Sequence, residues 1–140
     1  MAPASDAPLP TVAVINGLQD TIDMLRFVLE DAGFRVVDTQ ARDVRRGEVD
    51  LAEFVQRHDA AVVLYDIAIP YDENWRALQE RRAAPALATT PFVVTTTNQR
   101  ALEGVVGPTD AVEIIGKPYD LHRIVEAVRR AAGRQARHAQ

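Results

Sequence analysis

Short apolar runs rich in β-branched residues alternate along the chain with stretches whose apolar positions recur every three to four residues. The runs are Thr11–Ile15, Phe34–Val37, Ala60–Tyr65, Pro91–Thr95 and Ala111–Ile115. Each is short and nearly continuous, the pattern of a strand buried on both faces. Between them, Ile22, Leu25, Val28 and Leu29 fall on one helical stripe. Leu51, Phe54 and Val55 form a second, with Glu53, Gln56 and Arg57 on its outer side. Trp75 and Leu78 mark a third helix, and Leu102 and Val105 a short fourth. Leu121, Ile124, Val125 and Val128 give the most regular stripe. Gly33 stands where the first helix is expected to stop, and Pro91 and Pro118 mark element boundaries. Five strands alternating with five helices predict an α/β domain, a parallel sheet with helices on both faces. No internal repeat is visible.

The chain has 140 residues, the size of one ordinary domain. Residues 11–132 carry the pattern. Residues 1–10, rich in Pro and Ala, are expected to form a loose leader; they lack the positive start and apolar centre of a secretory signal. Residues 133–140 are expected to be a polar, fraying tail. With 47% hydrophobic and 26% charged residues the composition is that of a globular protein. A net charge of −4 gives no footprint for nucleic acid. No run approaches the roughly 20 apolar residues that span a bilayer. The absence of cysteine excludes a disulfide framework, a thiolate metal site and a thiol nucleophile, and fits a cytoplasmic location. Arg42, Arg45 and Arg46 are expected in a solvated loop before the second helix rather than in an anion site. His58, His122 and His138 share no strand end and receive no ligand role. Trp75 is expected in the core.

In a doubly wound sheet, function gathers outside the carboxyl ends of the strands. Asn16-Gly17 follow the first run, Asp66 and Ile67-Ala68-Ile69-Pro70 the third, Thr96 and Thr97 the fourth, and Lys117-Pro118-Tyr119 the fifth. A lone strand-end aspartate is usually a helix cap, and a lone lysine a solvated charge. A carboxylate, a hydroxyl and an ammonium at matching strand ends together suit a phosphoryl group. The carboxylate can act as nucleophile, and the hydroxyl and ammonium can bind the phosphoryl oxygens.

The segments AVVLYDIAIP, PFVVTTTN and EIIGKPYDLHRIVEAV resemble the third strand, the fourth strand, and the last strand and helix of bacterial response-regulator receiver domains of the chemotaxis-regulator type. The resemblance covers residues 11–132. It implies a flavodoxin-like (βα)5 fold with strand order 2-1-3-4-5. Carried over by position, Asp66 matches the phosphoacceptor, Thr96 the switch hydroxyl and Lys117 the lysine that pairs with the phosphoryl group. The backbone carbonyl of Ala68 matches a magnesium ligand, and Asp66 supplies another.

Four positions depart from the family pattern. The family carries two acids after the first strand; here Asn16 and Gly17 occupy those places, and Gly17 stands where a carboxylate contacts magnesium. Asp20 has a family counterpart that is not a ligand. Magnesium prefers carboxylate and other hard oxygens. The usual three carboxylates beside one lysine sum to about −2, whereas Asp66 against Lys117 sums to about zero. A magnesium site built from Asp66, Ala68 and Asn16 is therefore expected to be weak or absent, and phosphoryl transfer impaired. Asp66 paired with Lys117 is also a poorer nucleophile. Ile114 replaces the aromatic switch residue of the last strand and is expected to be core. Thr97, larger than the usual small residue, narrows access to Asp66, and Asn98 is expected to cap the fourth helix.

The resemblance thus implies an atypical, stand-alone receiver that is not an enzyme and acts by protein–protein contact in two-component signalling. Its partner would be a signalling protein or sensor kinase, or a second copy, through the fourth helix, fifth strand and fifth helix, with Tyr119 part of that face. Two alternatives stay open: a receiver still phosphorylated on Asp66, and a small-molecule-binding flavodoxin-like domain. The second lacks the Gly-rich phosphate loop.

Overall fold

A computed structural model describes residues 9–107, 113–116 and 120–138, with side chains through Arg134. The strands are β1 (Thr11–Asn16), β2 (Arg35–Gln40), β3 (Ala60–Ile67), β4 (Phe92–Thr96) and β5 (Glu113–Gly116). They form one parallel sheet in the order β2-β1-β3-β4-β5. The helices are α1 (Gln19–Asp31), α2 (Ala41–Arg45), α3 (Leu51–His58), α4 (Tyr71–Arg82), α5 (Gln99–Val106) and α6 (Leu121–His138), with a 3-10 turn at Pro85–Leu87. This is the five-stranded, doubly wound order that the sequence implies.

Side chains alternate across a strand, so each strand feeds two cores. Val12, Val14, Val62, Leu64, Val93 and Ile115 face Ile22, Leu25 and Leu29 of α1 and Ile124 and Val128 of α6. Ala13, Ile15, Val63, Tyr65, Ile67, Phe92 and Val94 face the other layer, with Val44, Leu51, Val55, Trp75, Leu78 and Leu102. Trp75 is a core residue, and Ile114 packs half-buried at the edge of the same core. Burial on both sheet faces explains why β1, β3 and β4 read as continuous apolar runs. The edge strand β2 is mostly half-buried instead. It runs to Gln40, past the end of the apolar run at Val37.

Local punctuation follows the sequence. Gly33 has a φ of +97°, just past the end of α1. Asp50 and Asn98 cap α3 and α5, their carboxylate and amide oxygens accepting from the Glu53 and Ala101 amides. Two features differ from expectation. Ala41–Arg45 is a short helix rather than a loop: Ala41 and Val44 bury against the sheet while Arg42, Arg45 and Arg46 stay exposed. Its two apolar residues are too few to show a period. Helix α6 continues to His138, past residue 132, where the sequence pattern ends. The leader through residue 8, the start of the fifth run at Ala111, and residues 139–140 lie outside the described residues.

Two tests follow from this packing. A Cβ on Gly116 would lie 2.8 Å from Cβ of Gln99 in α5, whereas one on Gly17 meets nothing within 4 Å. Gly116→Ala should lower stability by about 1–3 kcal/mol through overpacking, and Gly17→Ala far less, measured by urea denaturation. Burial pushes the Tyr65 phenol above its ordinary value of 10.0, opposed by the positive charges of Arg81 and Arg45 and reinforced by Asp66. The folded pKa thus exceeds the unfolded one. The stability this contributes is complete below about pH 10 and falls as pH rises through the folded value. Tyr65→Phe should remove this part of the alkaline loss, seen in denaturation midpoints from pH 8 to 11.

Candidate functional site

The carboxyl ends of β1, β3 and β4 open onto the loops that start α1, α4 and α5, and the polar residues there are committed to one another. Asp66, in the last turn of pleat of β3, lies in register with Thr95 of β4. The Thr95 hydroxyl donates to Asp66 Oδ1 at 2.7 Å in a part-buried contact. A hydroxyl donor to a carboxylate makes a charge-assisted bond.

The resemblance assigns Thr96 the hydroxyl that turns toward a transferred phosphoryl group; the hydroxyl bonded to Asp66 in this structure is that of Thr95. The reason is the period of two. Asp66 and Thr95 occupy the side of the sheet facing α1 and α6, while Thr96, paired with Ile67, falls on the opposite side. Thr96 is fully buried, and its hydroxyl oxygen accepts a long 3.4 Å bond from the Asn98 amide. A run of three threonines offers no mark for choosing among them. The register between β3 and β4 decides, and that register is a tertiary fact.

Asn16 ends β1, 4% exposed, and its Oδ1 accepts from the Leu18 amide at 3.0 Å, a local turn that shapes entry to α1. Gly17 and Asp20 are exposed, Asp20 in the first turn of α1. On the other side, Ala68 is exposed and its carbonyl accepts from Asn74 Nδ2 of α4 at 2.8 Å. The Asn74 amide also donates to the Pro70 carbonyl at 3.1 Å. The Tyr71 hydroxyl pairs with the Thr97 hydroxyl at 2.8 Å, tying the β3–α4 loop to the β4–α5 loop. Asn74 and Tyr71 carry no sequence signal, since polar residues in the first turn of a helix are commonplace. Only their proximity to Ala68 and Thr97 gives them weight. Lys117, with Pro118 and Tyr119, lies outside the described residues.

Magnesium takes near-octahedral oxygen ligands, one or two of them carboxylates. At the positions that the resemblance assigns to a metal, Asp66 accepts from Thr95, Asn16 Oδ1 from Leu18 and Ala68 O from Asn74. Gly17 has no side chain to offer. Among the described residues no three of His, Cys, Asp and Glu gather to hold an ion. This donor set is lean for magnesium: a single carboxylate already bonded to a hydroxyl, no side chain at Gly17, and two neutral oxygens that each already accept a hydrogen bond. Neither His58 nor His122 joins it. His58 packs its ring on Phe54 at 4.8 Å between centroids, and His122 is exposed on α6; the side chain of His138 is not among those described.

Around this cluster stand two exposed apolar residues, Leu18 at 59% and Ile69 at 73%, and α1 shows Phe27 at 74%. Among the described residues no helix is long and apolar enough to cross a membrane.

No protein-family model matches the sequence, and no curated protein does. Solved structures do match. The chemotaxis protein CheY4 of Vibrio cholerae superposes with a TM-score of 0.66 at 20% identity, covering 89% of this chain and 99% of that one. A CheY-like response-regulator receiver domain of Methanospirillum hungatei gives 0.67 at 18% identity, covering 94% and 99%. A response regulator of Thermotoga maritima gives 0.63 at 20% identity, covering 90% and 99%. The chain has the fold of these receiver domains.

The Thr95–Asp66 bond has a measurable consequence. Thr95→Val removes the donor from a part-buried carboxylate and should destabilise by about 1–3 kcal/mol at pH 7. In an Asp66→Ala background the same change should be nearly neutral. Denaturation of the four proteins gives the coupling; additive losses would show that the bond contributes nothing.

Proposed function

We propose that this chain is a receiver-type module of two-component signal transduction that works through protein–protein contact, with its magnesium-dependent phosphorylation impaired. The observation that carries the reading is the sheet-end cluster. Asp66 stands at the position that the resemblance assigns to the phosphoacceptor, and it and the oxygens around it accept from Thr95, Leu18 and Asn74. Phosphoryl transfer relies on a metal to neutralise charge on the transferring oxygens. Without that neutralisation Asp66 is a poor acceptor. In this reading Lys117 keeps the pairing role that the resemblance assigns it, and the Thr95 hydroxyl, bonded to Asp66, joins Thr96 as a candidate for the hydroxyl role.

The contact surface is α5, β5 and α6, which correspond to the fourth helix, fifth strand and fifth helix of the sequence pattern. β5 is an edge strand, Val105 of α5 is 40% exposed, and Ile114 is half-buried at the same edge. The Glu113 carboxylate accepts two bonds from Arg130 of α6, at 2.6 and 3.0 Å, which fixes the strand against the helix. The partner is a sensor kinase, another signalling protein or a second copy of the chain, and the location is cytoplasmic. A second reading, a receiver still phosphorylated on Asp66, is favoured by the retention of that residue at the strand end.

Intact mass after incubation with magnesium and acetyl phosphate separates the two. The proposal predicts no phosphate adduct on the wild type over times that fully modify an ordinary receiver. An adduct that disappears in Asp66→Asn would establish the second reading.

A further inference from the structure

The loop between β3 and α4 is held by its own helix. The Asn74 side chain donates across it to the Ala68 carbonyl, while its backbone amide makes the ordinary first-turn bond of α4 to the Pro70 carbonyl. A carbonyl oxygen two residues after a strand-end carboxylate is a natural ligand for a hard cation. Here the partial positive charge of an amide N–H takes that place, 2.8 Å from the oxygen. At the outer end of the loop Tyr71 is fastened to Thr97.

We infer that Asn74 is a positioning residue that stands in for a cation: its side-chain amide holds the Ala68 carbonyl, orders the β3–α4 loop in the metal-free protein and opposes metal entry beside Asp66. The inference rests on the reading of this cluster as a receiver phosphoryl site, and it adds a cause. The acids missing at Asn16 and Gly17 account for part of the low magnesium affinity expected here, and the occupied carbonyl adds to it. A carbonyl has two lone pairs, but an NH₂ group at 2.8 Å places positive hydrogen and bulk on the side from which a cation would approach.

Gly17 offers the room for a test, since a Cβ there meets nothing within 4 Å. Magnesium affinity is measured by isothermal titration calorimetry on Gly17→Asp, Asn74→Ala, the double variant, and the double variant carrying Asp66→Asn. Gly17→Asp alone should bind weakly. Adding Asn74→Ala should tighten binding roughly tenfold, the scale on which residues supporting a ligand shift metal affinity. Asp66→Asn should abolish the gain. Thermal unfolding provides a second readout that needs no acid at position 17. Asn74→Asp turns the donor into an acceptor facing the Ala68 oxygen, so its melting temperature should rise with millimolar magnesium while that of the wild type stays constant.

Equal affinity of Gly17→Asp with and without Asn74→Ala, together with a magnesium-insensitive Asn74→Asp, would overturn the role of Asn74 and leave the site assignment standing. A gain in affinity that survives Asp66→Asn would place the bound ion elsewhere and overturn the site assignment itself.

Discussion

A carboxylate at the end of a buried parallel strand must be given a partner, and the choice of partner sets the character of this site. Asp66 emerges half-buried where β3 leaves the core. A cation, a hydroxyl or an ammonium can each satisfy it, with different chemical results. A cation prepares a carboxylate for phosphoryl transfer; a hydroxyl bond spends one of its lone pairs and steadies it. Here the register of β3 against β4 puts the Thr95 hydroxyl 2.7 Å from Asp66 Oδ1. The rest of the cluster follows the same economy. Asn16 turns its oxygen to the Leu18 amide, and Asn74 covers the Ala68 carbonyl. No buried side-chain nitrogen or oxygen among the described residues lacks a partner.

The fold was legible because its main signal is one-dimensional. Runs such as Ala60–Tyr65 are apolar on both faces, and stripes such as Leu121–Val128 have a helical period; the two alternate along the chain. Right-handed crossovers then leave few topologies. The gaps have identifiable causes. Helix α2 buries only Ala41 and Val44, so no period could reveal it among arginines. Strand β2 outruns its apolar segment because an edge strand can carry Asp38, Thr39 and Gln40 and still be paired. Arg26 of α1 secures that edge, bonding the Val36 carbonyl at 2.9 Å and forming an ion pair with Asp38.

The candidate site was legible in outline and not in detail. Asp66 and Asn16 could be located because each directly follows an apolar run, and Ala68 because the resemblance assigns its carbonyl to a metal. Thr95 could not be preferred to Thr96, because which threonine shares a face with Asp66 depends on register to within one residue. Asn74 and Tyr71 were silent for another reason: their partners, a backbone carbonyl and a second hydroxyl, leave no trace in composition. Fold and chemistry thus separate here. The sheet is that of receiver domains, while the groups at its end bond to one another.

The most direct test is a two-dimensional 15N–1H spectrum of the wild-type protein titrated with magnesium and beryllofluoride, a stable mimic of the phosphoryl group. A self-satisfied site predicts that the amides of Ala68, Ile69, Thr97 and α5 keep their positions at millimolar magnesium, with or without the mimic. Saturable shifts of those amides, lost in Asp66→Asn, would show that the site takes up metal and phosphoryl group after all and would contradict the account.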